Sequence, residues 1–291
     1  MVSKTLIIGA CGQIGSELTY KLRAEIGIEN VIASDIKESN LELVKSGPFK
    51  ILDAKNFDQI KECVEKNNVG TVYLMAAMLS ATGEKFPEKA WDLNMTSLLN
   101  VLNLAKEKII DKIFWPSSIA VFGPTTPKAN TPQRTIMEPT TVYGITKQVG
   151  ERWCEYYFNN YGVDVRSIRY PGIISWKTLP GGGTTDYAID IFHKAISDGH
   201  YDCFLTEDTA LPMMFMEDAV KATLDIMNAE SSDVKIRSSY NLAAISFTPK
   251  ELANEIKKQI PDFTIDYEPD FRQQIANSWP NSIDDSQARQ D

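Results

Sequence analysis

The sequence predicts an α/β fold: a doubly wound parallel sheet over residues 1–170, then a smaller C-terminal α/β domain over residues 171–291. Three observations predict it. A short apolar run, Thr5 to Ile8, ends at glycines that recur every third residue, Gly9, Gly12 and Gly15, and an amphipathic helix follows with Ile14, Leu18 and Leu22 on one face. Short apolar runs and helical patterns then alternate through the first half of the chain. Beyond Tyr170 the character changes to a glycine-rich stretch followed by new helices and strands. Segments around residues 209–236 are expected to return to the first domain.

The bulk properties narrow the function. A hydrophobic content of 43 % over 291 residues supports an ordinary core. A net charge of -9 and a pI near 4.9 argue against nucleic acid as a partner. No apolar run is long enough to span a membrane, and the LIIGA run near the start is a buried strand rather than a signal peptide. Cys11, Cys63, Cys154 and Cys203 form no C-x-x-C pair, as expected for reduced thiols in the cytoplasm. His193 and His200 are the only histidines, too few for a zinc site or a serine-histidine triad, so no metal is expected.

The first element reads as strand, tight turn and helix. Gly9 allows the chain to reverse, Gly12 allows a pyrophosphate to approach the backbone, and Gly15 allows the helix to pack on the strand, a Rossmann-type dinucleotide turn. The helix start offers free N–H groups and a positive dipole end to phosphate. A second strand, Val31 to Ser34, ends at Asp35, twenty residues after Gly15. A carboxylate there accepts hydrogen bonds from the adenosine ribose and repels a 2′-phosphate, which selects NAD over NADP. A third strand, Phe49 to Leu52, leads to Asp53 and Ala54 at the edge expected under the adenine.

A helix over Asp58 to Asn67 precedes a fourth strand, Thr71 to Met75. Ala76 and Ala77 at its end leave room for the cofactor's backbone, and Ser80 lies in the segment leading on toward the reacting end. The pattern from Pro87 to Lys108 is a long helix carrying a polar Asn94, which is either solvated or has a structural or proton-relay role. A fifth strand, Ile113 to Trp115, runs into Ser117 and Ser118, and prolines then mark a long connection. The next helix, from Val142 to Tyr161, places Tyr143 and Lys147 on one face. A sixth strand, Val165 to Tyr170, follows. Later come a glycine loop from Pro180 to Thr185, a helix over Tyr187 to Ser197, a strand over Leu211 to Phe215, and a capping box at Thr248 to Glu251 that opens a helix running to about Ile260.

Together these residues suit hydride transfer from an alcohol. Tyr143 is the candidate base for the hydroxyl proton. A free phenol titrates near 10, so the Lys147 ammonium and a cationic nicotinamide are expected to favour its phenolate. Ser118, or its neighbour Ser117, is expected to hydrogen-bond the reacting oxygen, and Lys147 to hold the nicotinamide ribose.

The glycine turn, Ser118 and the Tyr143-x-x-x-Lys147 pair resemble the extended short-chain dehydrogenase/reductases over essentially the whole chain. Within them the sequence is similar to the short-chain type of L-threonine 3-dehydrogenase. The stretches that carry this are Met78–Ala81, Ser117–Pro124, Tyr143–Lys147, Arg169–Ile173 and above all Pro180–Ala188, with Trp279-Pro280 and Ile283–Ser286 near the end. The resemblance implies NAD-dependent oxidation of the L-threonine 3-hydroxyl to 2-amino-3-oxobutyrate. That product loses carbon dioxide to give aminoacetone or passes to a partner, 2-amino-3-oxobutyrate CoA ligase.

The same resemblance extends the cofactor set to Gln13, Ile14, Ile36, Asn94, Tyr143, Lys147, Tyr170 and Ile173. It places Ser80, Ser117, Tyr143, Thr184, Thr185 and Trp279 around the amino acid, with loop hydroxyls and glycine N–H groups meeting its carboxylate. Gly181, Gly182 and Gly183 then read as the hinge of a lid. A homodimer through the Pro87–Lys108 and Val142–Tyr161 helices is also implied. Two alternatives remain: a nucleotide-sugar epimerase or dehydratase, and a non-catalytic NAD sensor. The first commonly has an asparagine where Pro171 follows Arg169-Tyr170; the second typically loses the tyrosine or lysine.

Overall fold

The computed structural model describes residues 3–39, 42–177, 179 and 181–291. The chain runs β1 (Lys4–Ile8), α1 (Gln13–Ile26), β2 (Val31–Asp35), α2 (Glu42–Lys45), β3 (Phe49–Ile51), α3 (Phe57–Asn67), β4 (Val69–Leu74), α4 (Ser80–Lys85), α5 (Pro87–Lys106), β5 (Lys112–Phe114), β6 (Ser117–Ser118) and α6 (Val142–Tyr161). It continues with β7 (Asp164–Arg166), β8 (Ile168–Tyr170), β9 (Gly172–Ile174), α7 (Tyr187–Ser197), β10 (His200–Cys203), β11 (Leu211–Phe215) and α8 (Met216–Asn228). The last elements are β12 (Tyr240–Asn241), β13 (Ile245–Phe247), α9 (Pro249–Lys257), β14 (Thr264–Tyr267), α10 (Phe271–Ser278) and α11 (Ser286–Gln290).

The central sheet has six strands in the order β3-β2-β1-β4-β5-β7, all parallel. The order reverses direction between β1 and β4, and in open sheets of this kind ligands bind at that switch point, beyond the carboxyl ends of the strands. One face of the sheet is covered through a core of Ile60, Val64, Leu98, Leu102 and Cys154, contributed by α3, α5 and α6. The other face is covered through Leu18 and Leu22 of α1 and through Met216, Val220 and Leu224 of α8. The parallel strands are buried on both sides, which is why β1, β2 and β4 read as near-continuous apolar runs.

The sixth strand expected from the sequence is two strands. β7 pairs with β5, whereas β8 pairs with β6 and β12 in a separate three-stranded sheet. Pro116 has no N–H to donate and sits between β5 and β6, so the ladder is interrupted there. A single bond from the Trp115 N–H to the Arg166 carbonyl bridges the break. β9 then pairs with β11, and β11 with β13. A third core joins Phe122, Tyr187, Ile191, Met213, Phe263 and Trp279.

The remaining differences are small. The helix expected to reach Lys108 ends at Lys106, and Lys108 itself takes a positive φ of 58°. α9 ends at Lys257, three residues before Ile260, and its capping box at Thr248 and Glu251 is formed on both sides. Among the described residues, no helix is long and apolar enough to cross a membrane.

Candidate active site

A cavity of about 450 Å³ opens beyond the carboxyl ends of β1 and β4. Its lining brings together Gly9, Gly12, Gln13, Ile14, Gly15, Ala77, Ser80, Ser117, Ser118, Tyr143, Lys147, Tyr170, Ile173, Thr184, Thr185 and Trp279, all singled out by the sequence. Asp35, Ile36, Asp53, Ala54, Ala76 and Asn94 are not part of that lining.

The glycine turn is shaped for a dinucleotide. Gly9 has a φ of 88°, and a Cβ on it would stand 2.5 Å from the Ala76 nitrogen. A Cβ on Gly15 would stand 2.3 Å from the Gly9 carbonyl oxygen, so these two positions exclude any side chain. The space around Gly12 is different: the nearest atom to its Cβ position is 3.5 Å away. Gly12 is therefore free of steric demand from the protein itself, as expected where a phosphate approaches the backbone. No side chain among the described residues caps the start of α1, which leaves that helix end open to phosphate oxygens. Gln13 spans the mouth, its Nε2 donating to the Leu179 carbonyl at 3.0 Å.

Asp35 stands at the end of β2, where its carboxylate accepts from the Cys11 N–H at 2.9 Å and from the Ile36 N–H at 2.8 Å. Those bonds fix the carboxylate beside the glycine turn. The Ile36 side chain is exposed. Asp53 follows β3 and accepts from the Lys55 N–H, while Ala54 is buried and its carbonyl accepts from the Asn100 amide. The Ala76 N–H closes onto the Ile8 carbonyl and holds the end of β4 against β1.

Asn94 is only 5 % exposed, so a solvated role is excluded. Its amide accepts from the Met78 N–H and donates to the Met78 carbonyl and to the Thr146 hydroxyl. It locks the segment after β4 onto α6 rather than facing the cavity. Tyr170 turns its phenol away from the cavity toward Thr223, with which it hydrogen-bonds.

At the reacting end, Thr141 caps α6 and sets the direction of its first turn. The Ser118 hydroxyl lies close enough to the Tyr143 phenol to favour its ionised form, but burial, the larger effect, leaves the phenol up at about 12. Lys147 donates to the Pro116 carbonyl at 2.5 Å and lies 5.5 Å from the centre of the Tyr143 ring. Burial pushes its ammonium down to about 7. Both shifts run against the activation expected from the sequence. In the cofactor-free protein burial thus outweighs the neighbouring groups at both residues.

Ser117, expected beside the substrate, has its hydroxyl committed to the Glu151 carboxylate at 2.7 Å. Ser118 is therefore the serine that meets the tyrosine. Ser80 and Thr184 face each other, their hydroxyls 3.0 Å apart, and the Ser80 hydroxyl also accepts from the Thr184 N–H. Trp279 is buried beside them, and its carbonyl accepts from the Lys128 ammonium.

Pro180 lies outside the described residues. The Gly182 and Gly183 N–H groups both donate to the Asp186 carboxylate at 2.8 Å. They are thus not available to a substrate carboxylate in this arrangement. Asp186, only 7 % exposed, is the one acid among the described lining residues. Asp186 carries no role among the sequence expectations, although it directly follows Thr185. The signal was present: an acid placed among glycines and hydroxyls in a cavity otherwise lined by neutral groups and Lys147.

These features gather Tyr143, Lys147, Ser117 and Ser118 in one cavity beside a glycine turn shaped for a dinucleotide. The model of the NAD dependent epimerase/dehydratase family matches residues 5–243. The chain belongs to that family, within the extended short-chain dehydrogenase/reductases, and NAD is its cofactor. It is 50 % identical over 290 residues to an uncharacterised epimerase/dehydratase of Staphylococcus saprophyticus, covering 99 % of this chain and 90 % of that one. Two solved structures share its fold closely. A partial-consensus L-threonine 3-dehydrogenase has a TM-score of 0.96 at 59 % identity, covering 98 % of this chain and 92 % of that one. The holo form of a GalE-like L-threonine dehydrogenase from Cupriavidus necator has a TM-score of 0.95 at 57 % identity, with the same coverages.

Proposed function

We propose that the chain oxidises the 3-hydroxyl of L-threonine, with NAD, to 2-amino-3-oxobutyrate. The observation that carries this reading is the polar make-up of the cavity's reacting end. Ser118 and Tyr143 face the alcohol, Asp186 supplies a buried negative charge for an ammonium, and Ser80, Thr184 and Thr185 supply hydroxyls for a carboxylate. A small zwitterion matches that set. The two L-threonine dehydrogenases similar in fold and sequence support the same choice.

NAD, when bound, accepts the hydride. The chain's residues do the rest. Tyr143 takes the hydroxyl proton, Ser118 orients the reacting oxygen through its bond to the phenol, and Lys147 holds a positive charge beneath them. Asp186 anchors the amine, so that the bond to be broken is presented in one orientation.

The relative's name, epimerase/dehydratase, keeps open the sequence's second reading, action on a nucleotide sugar. Such a ligand carries a diphosphate, and the cavity's described lining offers Lys147 as its single cation, already bonded to Pro116. Melting temperature in the presence of NAD separates the two. L-Threonine is expected to raise it in a concentration-dependent way, and UDP-sugars to leave it unchanged; the reverse pattern would overturn the assignment.

Two further outcomes follow from the geometry. Asp35 sits where a 2′-phosphate would fall, so the enzyme is expected to use NAD at least about tenfold better than NADP, the scale of losing one favourable charged contact. Asp35→Ser with Ile36→Arg is expected to narrow or invert that ratio in steady-state assays, and equal use of both cofactors by the parent would refute the role of Asp35. α5 and α6 leave Trp91, Trp153, Tyr156 and Tyr161 exposed. We propose that these helices form a two-fold homodimer contact, which light scattering at micromolar concentration checks; a monomer alone would contradict it. Passing the product to a 2-amino-3-oxobutyrate CoA ligase is part of the same proposal.

A further inference from the structure

Beneath the cavity lies a buried polar network that the proposed chemistry does not use directly. Glu151 is fully buried, one helical turn beyond Lys147. Its carboxylate accepts from the Arg169 guanidinium through Nε and Nη2, both at 2.8 Å, and from the Ser117 hydroxyl at 2.7 Å. Arg169 is itself buried and donates onward to the Asn241 side chain and the Gln133 carbonyl. A buried ion pair of this kind commonly adds little net stability over apolar residues of the same volume. Its place, rather than its energy, is what needs explaining.

We propose that Glu151 is a positioning residue for the reacting end of the cavity, an inference that rests on the function proposed above. Clamped by Arg169, it fixes Ser117 and hence the short Pro116–Ser118 strand end. The neighbours of Ser117 are the two groups the chemistry needs: the Pro116 carbonyl that receives Lys147, and Ser118, which meets Tyr143. Glu151 also places a negative charge near the Lys147 ammonium and favours its protonated form against the effect of burial. The groups around Lys147 bear this out. α6 itself contributes Tyr143, Glu151 and the Cys154 thiol, which also acts on Lys147. The end of β5 contributes the Trp115 ring, over which Lys147 lies at 4.5 Å, and α5 contributes Asn94, committed to Met78 and Thr146. On the more distant flanks, α4 places Glu84 on the Val142 N–H, and β7 carries Asp164, paired with Arg166 and Arg237. Glu151 is thus the carboxylate that acts on this lysine.

Glu151→Gln is the direct variant, but it strands the buried guanidinium and can prevent folding. The paired variant Glu151→Leu with Arg169→Met removes both charges and keeps the volume, so it carries the test in that event. Protein labelled with 13C-lysine and free of cofactor reports the lysine directly, its resonance assigned by loss in Lys147→Arg. The parent is expected to titrate near 7, and the folded Glu151 variant about one pH unit lower. In steady-state NAD reduction, the alkaline limb of kcat is expected to move down by the same amount. Ser117→Ala, which cuts only the link to the strand end, is expected to lower kcat roughly fivefold with KM unchanged. A lysine midpoint that stays in place in the folded variant, or a Ser117→Ala enzyme with parental kcat, would overturn the proposal. A parent that gives no NADH with L-threonine, with the lysine shift present, would instead overturn the substrate assignment alone.

Discussion

Tyr143→Phe is expected to lower turnover with L-threonine at least about a hundredfold, the lower end of what a positioned acid–base group supplies, while NAD affinity stays close to that of the parent. The substitution keeps the ring and removes the hydroxyl that Ser118 acts on. The structure sharpens this expectation. Burial, the largest effect, leaves the phenol up at about 12 even against the opposing influence of Ser118, so the cofactor-free protein favours its neutral form. Proton transfer therefore depends on charge that arrives with NAD and on the Lys147 ammonium below. Steady-state kcat and a fluorescence titration of NAD separate the two effects. A Tyr143→Phe enzyme turning over within threefold of the parent would remove the tyrosine from this role.

Asp186→Asn is expected to lower the specificity constant for L-threonine by about ten- to a hundredfold, the equivalent of the roughly 1.5–3 kcal/mol that a hydrogen bond to a charged group contributes. The amide retains one oxygen for the Gly182 and Gly183 N–H groups, so the loop keeps a partner while the charge is lost. NAD affinity is expected to change little. A discriminating comparison uses 3-hydroxybutyrate, which lacks the amine: the variant's defect is expected to appear with threonine and not with that compound. An equal loss on both would show that Asp186 only shapes the loop.

Much of the candidate site's layout was legible in the sequence because its elements are local. The glycine turn is set by spacing of three, the Tyr143–Lys147 pair by a helical spacing of four, and Asp35 by the end of a short apolar strand. Each of these signals lies within one element and its cap. What was not legible depends on contacts between distant segments. The choice between Ser117 and Ser118 is made by Glu151, 34 residues beyond Ser117. Asn94 read as solvated, structural or a proton relay from a local pattern, and only its distant partners, Met78 and Thr146, single out the structural role. The glycine loop reads as mobile by composition, yet the Asp186 carboxylate ties two of its amides. The short strands β6 and β12, two residues each, carry no periodicity, so the division of the sixth strand into β7 and β8 was invisible.

In the cofactor-free protein burial outweighs any activating effect of Lys147 on Tyr143, for a related reason. Spacing shows that the two side chains share a helix face, but burial is set by the whole fold, and here it shifts both groups toward their neutral forms. A cation near 7 is also one whose charge changes across the physiological range, which is why the placement of Glu151 matters.

The most direct measurement of the central claim is NADH formation at 340 nm by the purified protein with L-threonine, set beside L-serine, 3-hydroxybutyrate and UDP-sugars, with the product identified by mass spectrometry. NADH is expected with L-threonine above all, together with 2-amino-3-oxobutyrate or the aminoacetone it yields on losing carbon dioxide. No NADH with threonine, together with turnover of a UDP-sugar, would contradict it.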